Sequence, residues 1–358
     1  MPVSVTGYRN ELVSGLVFRC FCYKKSTLPI CLMSDRANKF SFPFLSRLLI
    51  KNFRVLHDVE FNCLTPLTVL IGENGSGKTT VFEALSFLHD CFTLGLRETW
   101  YRYGGAKELR TLGQEGPITV EIEYKISGYY SITYHLSIDE ENRRPVVIEE
   151  WVHGCQELGC SPLCFLEHNA GKVRVISSAE SDNVSKYTEI KLNGVDLIAT
   201  SVLGQFEGYP EIAAIRDIAM GWRIMPKTKK LKNINNLNFL NHSSASLDLI
   251  SLYAENSSPD FSLPSLICIE EPAMSIYPRL LASLTERFRD AAAHTQFIIT
   301  THAPIFLNAL RPEEVWLLYR NQNGYTQVRR VDFVPHVIDF WENGGLLGHL
   351  WTEGYLNI

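Results

Sequence analysis

The stretch from Leu67 to Thr93 constrains the fold more than any other part of the chain: LTVLI, then GENGSGKTT, then VFEALSFLHDCFT. Five apolar residues closed by Gly72 make a compact buried strand. Beyond the glycines, Val81, Phe82, Leu85, Phe87 and Leu88 recur at roughly helical spacing. The segment therefore reads strand, loop, helix. Its loop fits G-x-x-x-x-G-K-T, with Gly72, Gly77, Lys78 and Thr79 at the fixed positions. Glycines let the backbone curl so that successive N–H groups face an anion, and the helix presents its N-terminus to the same charge. Lys78 can reach β- and γ-phosphates, and the Thr79 hydroxyl can ligate Mg2+. The candidate phosphate-binding residues are Gly72, Glu73, Asn74, Gly75, Ser76, Gly77, Lys78, Thr79 and Thr80.

A phosphate loop needs a second strand that brings an acid to the metal. SLICIEE supplies one: an apolar run ending in Glu270 and Glu271. Neighbouring side chains on a strand point to opposite sides, so the two carboxylates can serve different groups. Glu270 is assigned to the Mg2+ shell, and Glu271, at the strand end, to the water that attacks the γ-phosphate. FIITTHAP repeats the pattern, an apolar strand ending in Thr300, Thr301 and His302, and His302 is placed to touch the γ-phosphate.

Elsewhere, FPFLSRLLIKNFRVLHDVEF from Phe42 reads as β structure, and residues 117–137 alternate about a Ser-Gly turn as an antiparallel hairpin, with more β structure through 145–192. PRLLASLTERFRDAAA reads as a helix, and EVWLLYR with GYTQVRRV as a terminal hairpin. No sustained heptads appear, which excludes a long coiled coil. Residues 1–41 are poorly patterned. They are basic and acid-poor, which suits either an organelle transit sequence or an extension ahead of a start at Met33. The expected organisation is one domain over 42–350, with a β-rich insertion at about 115–195, a helical part at about 205–262 and a tail at 351–358.

Composition narrows the function classes. The net charge of −5 divides unevenly, because residues 1–54 hold nine lysines and arginines against Glu11 and Asp35. No global attraction to nucleic acid is indicated; the run with Arg223, Lys227, Lys229, Lys230 and Lys232 is a local candidate. No apolar stretch is long enough to span a membrane, so no membrane partner and a cytoplasmic location are expected. Nine scattered cysteines read as reduced thiols. His153, Cys155, Cys160, Cys164 and His168 match no common zinc spacing and read as solvent-side residues of a β-hairpin.

Taken together, LLIKNFRVLHDVEF…LTVLIGENGSGKTT, ICIEEP…YP and IITTHAP resemble the compact ABC-type ATPases of the SMC/RecF class, in particular the bacterial AAA-domain ATPases without coiled-coil arms. The resemblance covers about residues 44–350. It implies an α/β fold, a P-loop NTPase of ABC type with a mixed central sheet, flanking helices and an antiparallel β-subdomain. It also implies ATP and Mg2+ as ligands, hydrolysis with Glu271, His302 and Lys78 as catalytic residues, and Thr79 and Glu270 at the metal. A homodimer closing on ATP, double-stranded DNA and a separate effector such as a nuclease are the partners it suggests, in DNA repair or phage defence. Ser243, in NHSSASLDLISLYAE, falls where the class places its signature serine. Gln205 or Gln114 falls where it places a polarising glutamine. Two departures stand out: Ser244 and Ala245 replace the glycines usual after that serine, and AMSIYP follows Glu271-Pro272 where similar proteins carry Glu-Asn-Gly and Leu-His-Pro. These leave a second reading open, a non-hydrolysing ATP-responsive module that regulates a partner.

Overall fold

The computed structural model describes residues 42–126, 129–155, 161–169, 171–176, 187–225, 264–275 and 281–356. The chain opens with β1 (Phe44–Phe53), β2 (Leu56–Asn62) and β3 (Leu67–Gly72), followed by α1 (Lys78–Thr93), α2 (Leu96–Arg102) and α3 (Gly105–Leu109). A run of strands follows: β4 (Ile118–Ile126), β5 (Tyr129–Glu141), β6 (Arg144–Cys155), β7 (Leu163–Asn169), β8 (Lys172–Ile176) and β9 (Tyr187–Lys191). Then come α4 (Ala199–Leu203), α5 (Pro210–Met220), β10 (Arg223–Met225), β11 (Leu266–Glu270), α6 (Leu281–Ala291), β12 (Gln296–Thr300) and α7 (Pro304–Leu307). The last elements are β13 (Val315–Arg320), β14 (Thr326–Arg330), α8 (Val337–Glu342) and α9 (Leu347–Thr352).

These strands form two sheets. One is antiparallel throughout, in the order β2-β1-β4-β5-β6-β7-β8-β9. The expected hairpin is at its centre, with Ile122 opposite Tyr134, and the sheet also takes in β1 and β2. The other is mixed, in the order β10-β11-β12-β3-β13-β14, parallel except for the final β13–β14 pair. The terminal hairpin is thus no appendage. Its first strand lies parallel to β3, with Trp316 opposite Leu70 and Leu318 opposite Gly72.

The period of two along the parallel strands divides the apolar residues between two cores. Leu70, Cys268, Ile298 and Leu318 join a cluster with Val81, Phe82, Leu85 and Leu88 of α1 and with Leu48, Ile50, Ile122, Tyr134 and Leu166 of the antiparallel sheet. Val69, Ile71, Ile267, Ile269, Ile299 and Leu317 face the other way, onto Leu284 and Phe288 of α6 and Phe306, Leu307 and Leu350. Helix α1 is covered on more than one side, which is why its buried set, including Ala84, Phe87, Cys91 and Phe92, exceeds one stripe. Helix α6 buries only Leu281, Leu284, Thr285 and Phe288, the single face of a surface helix.

His168 is not a solvent-side residue: it is fully buried, as is Glu150. Its Nδ1 lies 3.1 Å from Glu150 Oε2, while its Nε2 accepts the Gly171 N–H at 3.1 Å. That network assigns the ring proton to Nδ1. Glu150 also accepts from Tyr134 Oη and from the N–H groups of Ala199 and Thr200 at the start of α4. A buried carboxylate is tolerated only when its lone pairs are satisfied, and here four donors meet it. The thiol reading is corrected as well: Cys155 is disulfide-bonded, whereas Cys91 and Cys268 are buried thiols. Among the described residues no group of three or more potential ligands could hold a metal; Cys160 lies outside them. No helix among the described residues is long and apolar enough to cross a membrane.

Candidate nucleotide site

Three parallel strands end side by side. The register sets Thr300 opposite Leu70 and Glu270 opposite Thr300, so the segments leaving β3, β12 and β11 emerge together at the carboxyl edge. In open α/β sheets that edge is where ligands bind.

The loop after β3 owes its path to glycines at two tight points. A Cβ on Gly72 would stand 2.1 Å from the Leu318 carbonyl oxygen of the neighbouring strand. Gly77 has φ 109°, and a Cβ there would meet the Thr326 hydroxyl at 2.4 Å. Helix α1 then begins with no side-chain cap and no acid in its first turn. Its first N–H groups, which lack intrahelical partners, carry the positive end of the helix dipole, and no acid of the helix itself offsets it. The Lys78 ammonium is folded back into the loop, donating to the carbonyls of Gly72 at 2.8 Å and Glu73 at 2.9 Å, with Ser76 Oγ at 3.5 Å. Ser76 and Lys78 are buried, Thr80 is half-buried, and Glu73, Asn74, Gly75 and Thr79 are exposed.

The two adjacent glutamates meet different partners, and strand alternation is not the reason: β11 ends at Glu270, and Glu271 lies just beyond it. Glu270 Oε1 accepts the Thr79 hydroxyl, across the width of β12. Glu271 is buried and turns the other way. Its Oε2 accepts the His302 N–H at 3.2 Å, and His302 Nε2 stands 3.3 Å from its Oε1. The Glu271 backbone has φ 52°, a conformation costing an L-residue roughly 1–2 kcal/mol. Thr300 holds it there: the Glu271 N–H is directed at both the Thr300 carbonyl, 3.0 Å away, and the Thr300 hydroxyl, at 3.2 Å.

The structure therefore brings together Gly72 through Thr80, Glu270, Glu271 and His302. Ser243 lies outside the described residues, as do Lys227, Lys229, Lys230 and Lys232. Gln205 is exposed and donates to Ser201 O. Gln114 donates to Tyr325 Oη at 2.9 Å, next to Thr326, whose hydroxyl bonds the Ser76 carbonyl. Three residues that sequence reasoning missed also shape the site: Thr300, Thr326 and Arg320, which donates to the Gly75 carbonyl at 2.7 Å. Thr300 stood in plain view beside His302, but nothing in the sequence marks its hydroxyl as a partner of Glu271. Thr326 and Arg320 carry no local signal at all.

An AAA-domain family matches residues 47–206. A second, described as AAA domain, putative AbiEii toxin, Type IV TA system, matches residues 236–308, which contain both acidic residues and His302. An OLD nuclease of Thermus scotoductus is 48% identical over 44 residues, 12% of this chain and 8% of the relative. RecF, the DNA replication and repair protein, is 38% identical over 45 residues in Francisella tularensis subsp. mediasiatica and 46% over 44 residues in Haemophilus ducreyi. Each match covers 12–13% of this chain and of the RecF protein. The matched stretch is thus about a tenth of these relatives' length. Among solved structures, an SMC head bound to the C-winged helix domain of ScpA has a TM-score of 0.42 at 12% identity, over 80% of this chain and 97% of that one. The SMC head domain of Thermotoga maritima has a TM-score of 0.40 at 14% identity, over 80% and 99%.

Proposed function

We propose that this chain, a compact ABC-type ATPase of the SMC/RecF class, binds and hydrolyses ATP with Mg2+ as a nucleotide-driven dimerisation switch acting on DNA, in repair or phage defence. The observation that carries the reading is the convergence of three strand ends, bearing the phosphate loop, the Glu270–Thr79 contact and the Glu271–His302 pair. The loop amides and Lys78 bind the β- and γ-phosphates. The Thr79 hydroxyl and Glu270 carboxylate, hard oxygen donors already in contact, suit Mg2+ and would hold it. Bound there, the ion supplies charge neutralisation on the phosphates. Glu271 takes a proton from the attacking water as its oxygen bonds to the γ-phosphorus and the bond to the ADP oxygen breaks. His302 orients the Glu271 carboxylate and lies next to the incoming phosphate. Ser243 of a second copy is the residue proposed to complete the site, and a separate effector is proposed to carry any nuclease activity.

Phosphate release by the purified protein, alone and with double-stranded DNA, tests this. Wild type should hydrolyse ATP, and Glu271→Gln should bind it without turnover; full hydrolysis by Glu271→Gln would remove the assignment. ATP binding by the wild type with no phosphate release in either condition would favour the second reading, a non-hydrolysing module regulating a partner, which the AMSIYP segment motivates. Light scattering with and without ATP tests the switch, and a monomer in both would remove it.

A further inference from the structure

A phosphate loop can point its N–H groups inward only if its carbonyls point outward, and outward carbonyls need partners of their own. Lys78 takes those of Gly72 and Glu73. Further along the tip, the carbonyls of Gly75 and Ser76 are met by side chains from about 250 residues further along the chain: Arg320 Nε at 2.7 Å and Thr326 Oγ1 at 2.8 Å, with sequence separations of 245 and 250. Both belong to the β13–β14 hairpin.

We propose that this hairpin is a brace that sets the shape of the phosphate loop, with Thr326 and Arg320 as its positioning residues. The proposal rests on the reading of the loop as a nucleotide site. The hairpin is suited to the task because its turn is fixed by its own bonds. Asn321 N donates to the Tyr325 carbonyl at 2.9 Å, and Asn321 Oδ1 accepts the N–H groups of Asn323 and Tyr325, each at 3.0 Å. Arg320 also ties the Gly324 carbonyl to the loop tip, donating to it through Nη1 at 2.6 Å. Thr326 is fully buried, so no water replaces its hydroxyl when that hydroxyl is removed.

The brace is anchored in turn on the antiparallel sheet. The Thr326 N–H donates to the Val55 carbonyl at 3.0 Å, in the turn between β1 and β2. The Tyr325 ring stacks on His57 with centroids 4.7 Å apart and planes at 17°, and the Tyr325 hydroxyl accepts from Gln114. A displacement of that turn reaches the phosphate loop through two residues. Gln114 on this account is an anchor of the brace.

ATP affinity measured calorimetrically with EDTA, so that binding is read without hydrolysis, tests the brace. Losing the hydroxyl in Thr326→Val should weaken ATP about tenfold, the size of one buried hydrogen bond. Thr326→Ser, which keeps it, should stay within about twofold of wild type on the same grounds. Arg320→Gln, at an exposed position, should weaken binding a few-fold and serves if the valine variant fails to fold. A folded Thr326→Val that binds like wild type, or valine and serine variants weakened equally, would overturn the proposal. A wild type that binds but an unaffected Thr326→Val removes the brace alone. A wild type that binds no ATP removes the nucleotide site, and the brace with it.

Discussion

The two halves of the site are held in different ways. The phosphate-loop half draws its support from far along the chain: Arg320 and Thr326 fix its tip, and Leu318 presses on Gly72. The acidic half is held by the strand next to it, through Thr300 under the Glu271 backbone and His302 on the Glu271 carboxylate. The first arrangement shapes a ligand cradle. The second sets a single carboxylate at the cost of a left-handed backbone at Glu271. The comparison teaches that binding and turnover should separate cleanly under mutation.

The largest expected effect tests that separation directly. Glu271→Gln should lower kcat by about 10²–10⁴-fold, the usual worth of a general base, with ATP affinity retained. A matching loss of affinity would break the distinction between the halves. Thr300→Val comes next. Removing one acceptor of the Glu271 N–H should lower kcat about tenfold while leaving KM near wild type, and Thr300→Ser should restore it. The same substitution made in the Glu271→Gln protein should do little more.

The smallest effect lies outside both halves. On the face of the antiparallel sheet turned away from α1, Glu121 receives Arg47 and His135. Burial acts to raise its pKa, yet the His135 hydrogen bond and the Arg47 charge together hold it below the usual carboxylate value. A depressed folded pKa stabilises fully above the unfolded value, near 4.5, and the contribution is lost as pH falls through the folded one. The Tm gap between wild type and Arg47→Met should therefore narrow from about pH 6 to about pH 3. ATP affinity should not change with this substitution.

Much of this was legible beforehand because it is local. The β3–loop–α1 unit, the strands ending in Glu270 and Thr300, and the hairpin at 117–137 each carry their own period and punctuation. Different partners for Glu270 and Glu271 were expected from strand alternation, but β11 ends at Glu270 and a left-handed backbone at Glu271 turns the second side chain. The burial of His168 was not legible. A histidine between polar residues on a strand gives no sign that a glutamate eighteen residues earlier will share its pocket. Nor was the insertion of β13 beside β3, since sequence shows that a strand exists but not which strand it will join.

By itself, then, the sequence determined the chemistry available: a glycine loop able to curl about phosphate, a lysine and hydroxyl at its end, and two adjacent acids at the end of a strand. These depend on residue type and short spacing, which the chain states directly. The tertiary structure decided how that chemistry is held. It set Thr79 against Glu270, Glu271 against His302, and the loop tip against Arg320 and Thr326. Those pairings span 31 to 250 residues and depend on which strands lie side by side, a choice made by the burial of two cores and not by any local pattern.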